Sequence, residues 1–468
     1  MASAPLGGQR TSDYTLVPKR ANARDLANRR PIAGINADVK IVSRAISTRL
    51  AAALQPVIDP AQTGFLPGRW ISDNILSHTE LADLLTAHNT DGAMLFLDFA
   101  KAFDWMDRAW TFRVMEAMRF GEGARRWAEL FLTDNLGRVR VNGAPTDPFP
   151  ILSGAVQGSP PSSLLYLIQA QPLLALIRRM AATGAVQPVT LPFGGAAPLC
   201  HMHADDTTIH AASPADCDKI IAGPIAVFTA ASGAQLNPTK TKTLLFGSHA
   251  RQAAYTSAVT GITYTPATKF THHLGVTVGS GTDAEVERQK KVNTRTGLIG
   301  KAVLQWSKHN VSFIGRAYAG KQNLQSQLVH LLSFDSLTPA QLTTLNTLIY
   351  GYISRNRYTE EPSAASCNPG RLVCGLPRRA GGAGAPALEL FAIALAAKRA
   401  FRHLQPPPTV WKSIYDFQLM RSTAFSASHP DVPPTLLHRW GLGPAIVAST
   451  LDVNTAELPP TTNLPLQA

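Results

Sequence analysis

The sequence predicts an α+β fold, and three observations carry that reading. An apolar run from Met94 to Leu97 ends on Asp98, as a buried strand with a carboxylate at its tip would. Two further apolar stretches, around Leu199 to Met202 and Thr207 to Ala211, bracket Asp205 and Asp206 in a strand-turn-strand pattern. Segments of helical period separate these strands, and from about Ala284 onward helical patterning dominates.

The chain has 468 residues, 45% of them apolar, enough for two or three domains with real cores. A formal net charge of +13 on a chain only 16% charged favours a polyanionic partner such as nucleic acid. Four cysteines, Cys200, Cys217, Cys367 and Cys374, show no Cys-x-x-Cys spacing and are too few to staple a secreted scaffold. Cys367 and Cys374 flank a Pro-Gly turn without a histidine array, so zinc is not expected there. With no signal-peptide pattern and no apolar run of transmembrane length, an intracellular protein without a membrane partner is expected, nucleus or cytoplasm being left open.

Taken in order, residues 1–13 are small and polar and read as a flexible N-terminus. Tyr14 to Arg20 reads as a short strand and Arg29 to Ile32 as a basic connection. A helix is predicted from about Asp38 to Leu54, with Val39, Val42, Ile46, Leu50 and Leu54 on its apolar stripe. Lys19, Arg20, Arg29, Arg30, Lys40, Arg44 and Arg49 make this a basic lobe suited to a template strand or a triphosphate. Gln62 to Arg69 is a glycine-containing turn in which Arg69 is placed to meet phosphate, before a helix from about Asp73 to Ala87.

Beyond the strand ending at Asp98, Asp104 and Asp107 read as capping acids of a helix running to about Met118. Arg138 to Gly143 is a strand entering an Asn-Gly turn, with Phe149 to Leu152 returning as its partner. Gly154 to Ser163 is a glycine-rich turn opening a long buried helix, where Gln157 and the backbone at Gly158 are placed to contact a nucleotide. Ala215 to Ala231 suits a helix, followed by a turn at Asn237 to Lys240 and a strand from Thr243 to Phe246. Lys240 or Lys242 is suited to neutralise a leaving pyrophosphate. The adjacent His272 and His273 lack a metal-binding framework. From about Ala284 to Lys321 an amphipathic helical stretch carries Arg288, Lys290, Lys291, Arg295, Lys301, Lys308, Arg316 and Lys321, able to grip a duplex backbone. A last strong helix is expected from Leu388 to about Leu404, ended by Pro406 to Pro408.

Three acidic groups gathered in a mostly apolar core repel one another unless cations sit between them. Asp98, Asp205 and Asp206 therefore give the electrostatic description of a two-metal phosphoryl-transfer site.

In their order and spacing, these segments resemble the reverse transcriptase region of non-LTR, LINE-like retrotransposons. The resemblance runs from about Tyr14 to His330 and, more loosely, through Arg378 to Arg399. It rests on Arg30-Pro31-Ile32 with Lys40, Gln62 to Phe65 with Gly68, Arg69 and Asn74, Asp98 to Asp104, Gln157 to Pro160, Ala204 to Asp206, and Gly233 with Asn237 to Lys240. It implies a right-hand polymerase fold with fingers, a ferredoxin-like palm and a helical thumb, followed by a mainly helical C-terminal region. It also implies two Mg²⁺ ions, with Mn²⁺ as a substitute, on Asp98, Asp205 and Asp206. Phe103 would lie under the sugar and exclude a 2′-hydroxyl, Gln157 and Gly158 would position the nascent pair, and Lys240 would be the pyrophosphate-side cation. His203 stands where the family usually has an aromatic, and Pro161 and Ser163 depart from the usual residues after Gln157 and Gly158.

The implied division is a flexible 1–13, fingers and palm over 14–250 or to about 278, a thumb-like 279–330, a helical 331–458 and a flexible 459–468. The implied activity is RNA-directed DNA polymerisation on an RNA template, from a DNA primer or RNA/DNA duplex, with dNTPs; the oligomeric state is left open. An RNA-directed RNA polymerase and a catalytically silent nucleic-acid-binding remnant are the alternatives. Relative to a complete element, the chain reads as a fragment lacking an endonuclease.

Overall fold

The computed structural model describes residues 10–19, 25–266, 270–335, 337–355, 374–380, 382–385, 387–403, 405 and 409–417. Arg20, Cys367, Gly381, the Pro406 to Pro408 stop, the tail beyond 458 and most of the expected N-terminal segment lie outside these residues. Two compact units form, one from residues 1–284 with 409–414 and one from 285–408 with 415–468.

In the first unit, β1 (Thr11–Pro18) and β2 (Arg29–Gly34) form an antiparallel pair, followed by α1 (Ala37–Leu54) and α2 (Ile71–Ala87). The stretch expected as a basic connection is thus strand β2. Its Pro31 is tolerated because β2 is an edge of its sheet. Next come β3 (Gly92–Leu97), β4 (Phe99–Ala100), α3 (Arg108–Ala117), α4 (Glu122–Leu132) and β5 (Leu136–Val141), which runs parallel to β1. Strands β6 (Ala144–Pro145) and β7 (Phe149–Pro150) both fold back on β5. Asn142 and Gly143, at φ 50° and 88°, make the tight turn that the sequence pair demands.

The long helix α5 (Ser162–Ala182) leads to the hairpin of β8 (Cys200–His203) and β9 (Asp206–Ala211). There follow α6 (Pro214–Ile220), α7 (Ala226–Ser232), β10 (Gln235–Leu236), which pairs with β4, and β11 (Lys242–Phe246). Two small hairpins, β12 (Tyr255–Thr256) with β13 (Thr263–Tyr264) and β14 (Thr271–His273) with β15 (Val276–Val278), complete the unit's strands among the described residues.

The centre is a four-stranded antiparallel sheet in the order β11-β3-β9-β8. All residues of β3 are buried because both its faces are covered. Ala93, Leu95 and Leu97 join the main core with Leu164, Leu165 and Ile168 of α5 and Met115 of α3. The other face is unusual: Phe96 meets His78 of α2 and His273, which lie with His201 and His210 in one buried histidine layer.

Helix α1 differs from its predicted stripe. Ser43, Ser47, Ala51 and Leu54 face inward, while Ile41 and Val42 are exposed. Small residues let the helix approach closely, and the serine hydroxyls donate to carbonyls of their own helix, Ser47 to Ser43 at 2.7 Å.

The second unit contains most of α8 (Thr282–Trp306), with α9 (Phe313–Ala319), α10 (Val329–Phe334), α11 (Pro339–Arg355) and the helix Leu388–His403. Its core joins Val292, Ile299 and Val303 to Leu324, Leu345 and Ile349. Two cations expected to grip nucleic acid serve the fold instead. Lys291 pairs with Asp335 at 2.7 Å, and Arg316 donates to the Val311, Ile353 and Ser354 carbonyls.

Candidate active site

The register of the central sheet brings three acids to one edge. Leu97 pairs with Thr207, so Asp98, the next residue, arrives beside Asp206 at the start of β9. Because His203 pairs with Asp206, Ala204 and Asp205 form the two-residue turn of the β8-β9 hairpin. Ala204 takes the left-handed conformation, φ 57°, that such a tight turn requires.

Asp98 and Asp205 are half-buried, and Asp206, the most accessible of the three, keeps only part of its surface open to solvent. Burial, then the charge of Asp98, raises the Asp205 carboxyl above the usual range, while Arg30 on β2 acts in the opposite direction. Asp206 is pushed up to about 6, chiefly by loss of water and further by Asp205 and Asp98. Three carboxylates in electrostatic contact are hard oxygen donors, which suit a divalent cation in kind. Among the described residues, no three His, Cys, Asp or Glu side chains yet close round one point.

Beside the acids stands an aromatic wall. Phe103 stacks on the buried Tyr166 of α5 with centroids 4.6 Å apart, and Phe65 meets it edge-on at 6.3 Å. Phe65 is half exposed and also lies 6.4 Å from the His203 ring. Of the two acids expected to cap α3, Asp107 does so, accepting from the Trp110 amide at 2.6 Å. Asp104 instead accepts from the Gln157 side-chain amide at 2.7 Å. That bond fixes the orientation of Gln157, whose backbone carbonyl also accepts from the Ala33 amide of β2 at 2.8 Å. Gly158, at φ 116°, must be glycine, since a Cβ there would lie 2.7 Å from the Ala33 carbonyl. Pro161 fits the helix start as the N-cap residue of α5.

The turn at Gln62 to Gly64 has a role that sequence reasoning missed. The buried Gln62 side chain accepts from the Ala204 amide at 2.8 Å and from Gly64 at 2.9 Å, and donates to the Ala204 carbonyl at 3.1 Å. The Thr63 amide donates to Met202, and its hydroxyl lies 3.1 Å from His203 Nδ1. These bonds clamp the hairpin that carries Asp205. The partners are about 140 residues apart in sequence, so local pattern held no sign of them.

Arg69 requires a correction. Its guanidinium donates to the carbonyls of Gln55, Ile58, Asp59 and Gln62, which takes up four of its five N–H donors, all those on the terminal nitrogens, in closing the end of α1 and leaves it poorly suited to the expected phosphate contact. Lys240 is exposed in the turn after β10. That turn is tied to the first acid, with the Asn237 amide donating to the Asp98 carbonyl at 2.8 Å and the Asp98 amide to Thr241 Oγ1 at 3.4 Å.

A family model for reverse transcriptase (RNA-dependent DNA polymerase) matches residues 17–315, more than half of the chain. The Transposon TX1 uncharacterized 149 kDa protein of Xenopus laevis is 32% identical over 239 residues, which are 51% of this chain and 18% of that protein. The Retrovirus-related Pol polyprotein from type-1 retrotransposable element R2 of Popillia japonica is 27% identical over 173 residues, 36% of this chain and 24% of that one. The matched region is thus less than a third of either relative. The solved apo telomerase of Candida tropicalis aligns over 57% of this chain and 49% of its own at 13% identity and a TM-score of 0.40, a distance at which it adds nothing to the assignment. The family match spans the strand that ends at Asp98 and the hairpin of Asp205 and Asp206. The chain belongs to the reverse transcriptase (RNA-dependent DNA polymerase) family.

Proposed function

We propose that the chain is an RNA-directed DNA polymerase that extends a primer 3′-hydroxyl with dNTPs on an RNA template. The observation that carries this is the gathering of Asp98, Asp205 and Asp206 at one edge of the central sheet beside the Phe103 wall. Divalent-metal dependence is general in the family. Here Asp98, Asp205 and Asp206 would hold two Mg²⁺ ions, or Mn²⁺ in their place, which supply Lewis acidity for phosphoryl transfer.

The chain's own residues do the rest by positioning. Gln62 and Thr63 hold the Asp205 turn in place, and the Asp98 backbone is tied to the Asn237 to Thr241 turn. Phe103, braced on Tyr166, presents a fixed surface to the sugar of the incoming nucleotide and crowds a 2′-hydroxyl. Gln157, oriented by Asp104, offers a polar edge to the nascent pair. Lys240 neutralises pyrophosphate charge as it leaves. In this assignment residues 14–250, or to about 278, supply fingers and palm, 279–330 a thumb-like grip and 331–458 a helical C-terminal region.

The test is extension of an annealed primer on RNA by the purified chain with Mg²⁺, comparing dNTPs with rNTPs. Templated dNTP addition that is lost in Asp205→Ala supports the reading. Preferred use of rNTPs would make the chain an RNA polymerase. A folded, RNA-binding preparation that extends nothing, with Mn²⁺ and a DNA template also tried, would mark a silent remnant.

A further inference from the structure

The second unit contains a cavity of about 620 Å³ lined by Tyr318, Lys321, Gln322, Pro377, Arg378 and Gly384 among others. Its two walls are built independently. One is the end of α9, where the helix widens into a π turn over Gly320–Leu324. A Cβ on Gly320 would stand 2.9 Å from the Ile353 side chain, so this turn is pressed against α11 on its inner side. Tyr318, 57% exposed, and the exposed Lys321 and Gln322 lie on its open side. Such single π turns recur at functional sites because they turn side chains out of the helical register.

The other wall comes from residues 374–380 and 382–385, which hydrogen-bond to one another. The Gly384 amide donates to Leu376 at 2.9 Å and the Ala385 amide to Cys374 at 3.0 Å. A Cβ on Gly382 would run into the Leu376 carbonyl, so only glycine fits there. The Tyr350 hydroxyl of α11 donates to the Ala385 carbonyl at 2.8 Å and pins this wall. A wall tied in this way is preformed, which lowers the ordering cost of binding.

Charge identifies the occupant. Lys321 and Arg378 reach the cavity from opposite walls, and no carboxylate lines it among the described residues. Neither cation has a side-chain partner among those residues, whereas Arg316, on the same helix as Tyr318, is spent on carbonyls. Two unspent cations flanking an exposed aromatic ring match a phosphate backbone with an unstacked base. The bases of a duplex are stacked and paired, and its phosphates alone would leave the ring without a partner.

We propose that this cavity is a second nucleic-acid site that takes a single-stranded segment with phosphates at Lys321 and Arg378 and one base on Tyr318. The full chain would be titrated with a labelled 12-nucleotide uridine RNA, the corresponding thymidine DNA and a 12-base-pair RNA duplex, by fluorescence anisotropy over a range of salt. Tyr318→Ala is expected to weaken single-strand binding by about tenfold and leave duplex binding unchanged. The pair Lys321→Ala with Arg378→Ala is expected to reduce the salt slope on single strands by about 1.4. Equal effects on RNA and DNA would assign the site to backbone and base, and effects on RNA alone to the 2′-hydroxyl as well. Unchanged single-strand binding by variants that melt like the parent, or equal losses on duplex and single strand, would overturn the proposal. A 4-thiouridine RNA photocross-linked to the unmodified chain tests it without any variant. A cross-link on the peptide holding Tyr318 is expected, and its absence would also overturn the proposal.

Discussion

At the scale of single residues, Gln62 is the most informative side chain in the site. Its carboxamide is buried and serves three backbone groups, two of the β8-β9 hairpin and one of its own turn. Gln62→Met keeps length and volume but leaves the Ala204 and Gly64 amides without that acceptor. Each such loss costs about 1 to 3 kcal/mol, and a misplaced Asp205 slows the chemistry by about 100-fold. Urea unfolding and single-turnover primer extension would show both effects, and an unchanged extension rate would refute the clamp. Phe103 gives a second prediction. Phe103→Val removes the ring that stacks on Tyr166, so discrimination against rNTPs should fall by about tenfold or more, read as the ratio of kcat/KM for dNTP and rNTP. The placement of the three acids was legible because each sits at or just past the end of a strand of obvious pattern, whereas Phe103 enters only through the family resemblance. The work of Gln62 and Arg69 was not legible, since both act through backbone carbonyls or amides that no side-chain pattern announces.

At the scale of elements, sequence period found the strands of the central sheet but not what covers them. His78, His201, His210 and His273 come from a helix and three strands, and only folding makes them neighbours. His78 Nδ1 lies 3.1 Å from His210 Nε2, the His78 ring centroid is 5.1 Å from that of His273, and His201 is 5.1 Å from His210. The sequence reading weighed only His203 and the adjacent His272 and His273. Burial holds all four rings below the ordinary histidine range, their mutual proximity adds to this at His78 and His210, and His201 and His273 are lowered to about 4. Asp73 acts in the opposite direction on His201, and His203 lowers His273 further. The unfolded chain takes up these protons near pH 6.5, so as pH falls the unfolded state binds protons that the folded state refuses. The stability in question is complete above about pH 6.5 and is lost progressively toward pH 4. His201 and His273 alone place about 3 kcal/mol each in that window. The urea midpoint of unfolding should therefore decline between pH 6.5 and 4.5, and His201→Phe should make the decline shallower by about one proton. A midpoint flat over that range would exclude the histidine layer as the cause.

At the scale of the whole molecule, the first unit is not one continuous stretch of sequence. Residues 409–414 belong with residues 1–284, and their Val410, Trp411 and Ile414 are buried. The Trp411 indole nitrogen donates to Asp73 Oδ1 on α2 at 3.2 Å, across 338 residues. A linear reading of period and composition places that segment in a C-terminal region, because a short apolar stretch carries no sign of where it will be buried. Removing so large a buried side chain costs about 3 to 5 kcal/mol, and here it also removes a donor from a buried carboxylate. Trp411→Ala should thus lower the stability of the first unit by about that amount, although it lies far beyond the matched residues 17–315 in sequence. Amide hydrogen exchange along α2, residues 71–87, should quicken in this variant. A chain ended after residue 408 should behave in the same way, because it lacks the same contacts. If α2 exchanges at the parental rate in both, the 409–414 segment is an ornament on the first unit; if both quicken, the stability of that unit depends on sequence far beyond β15, and shorter chains should lose primer extension by instability with all three acids intact.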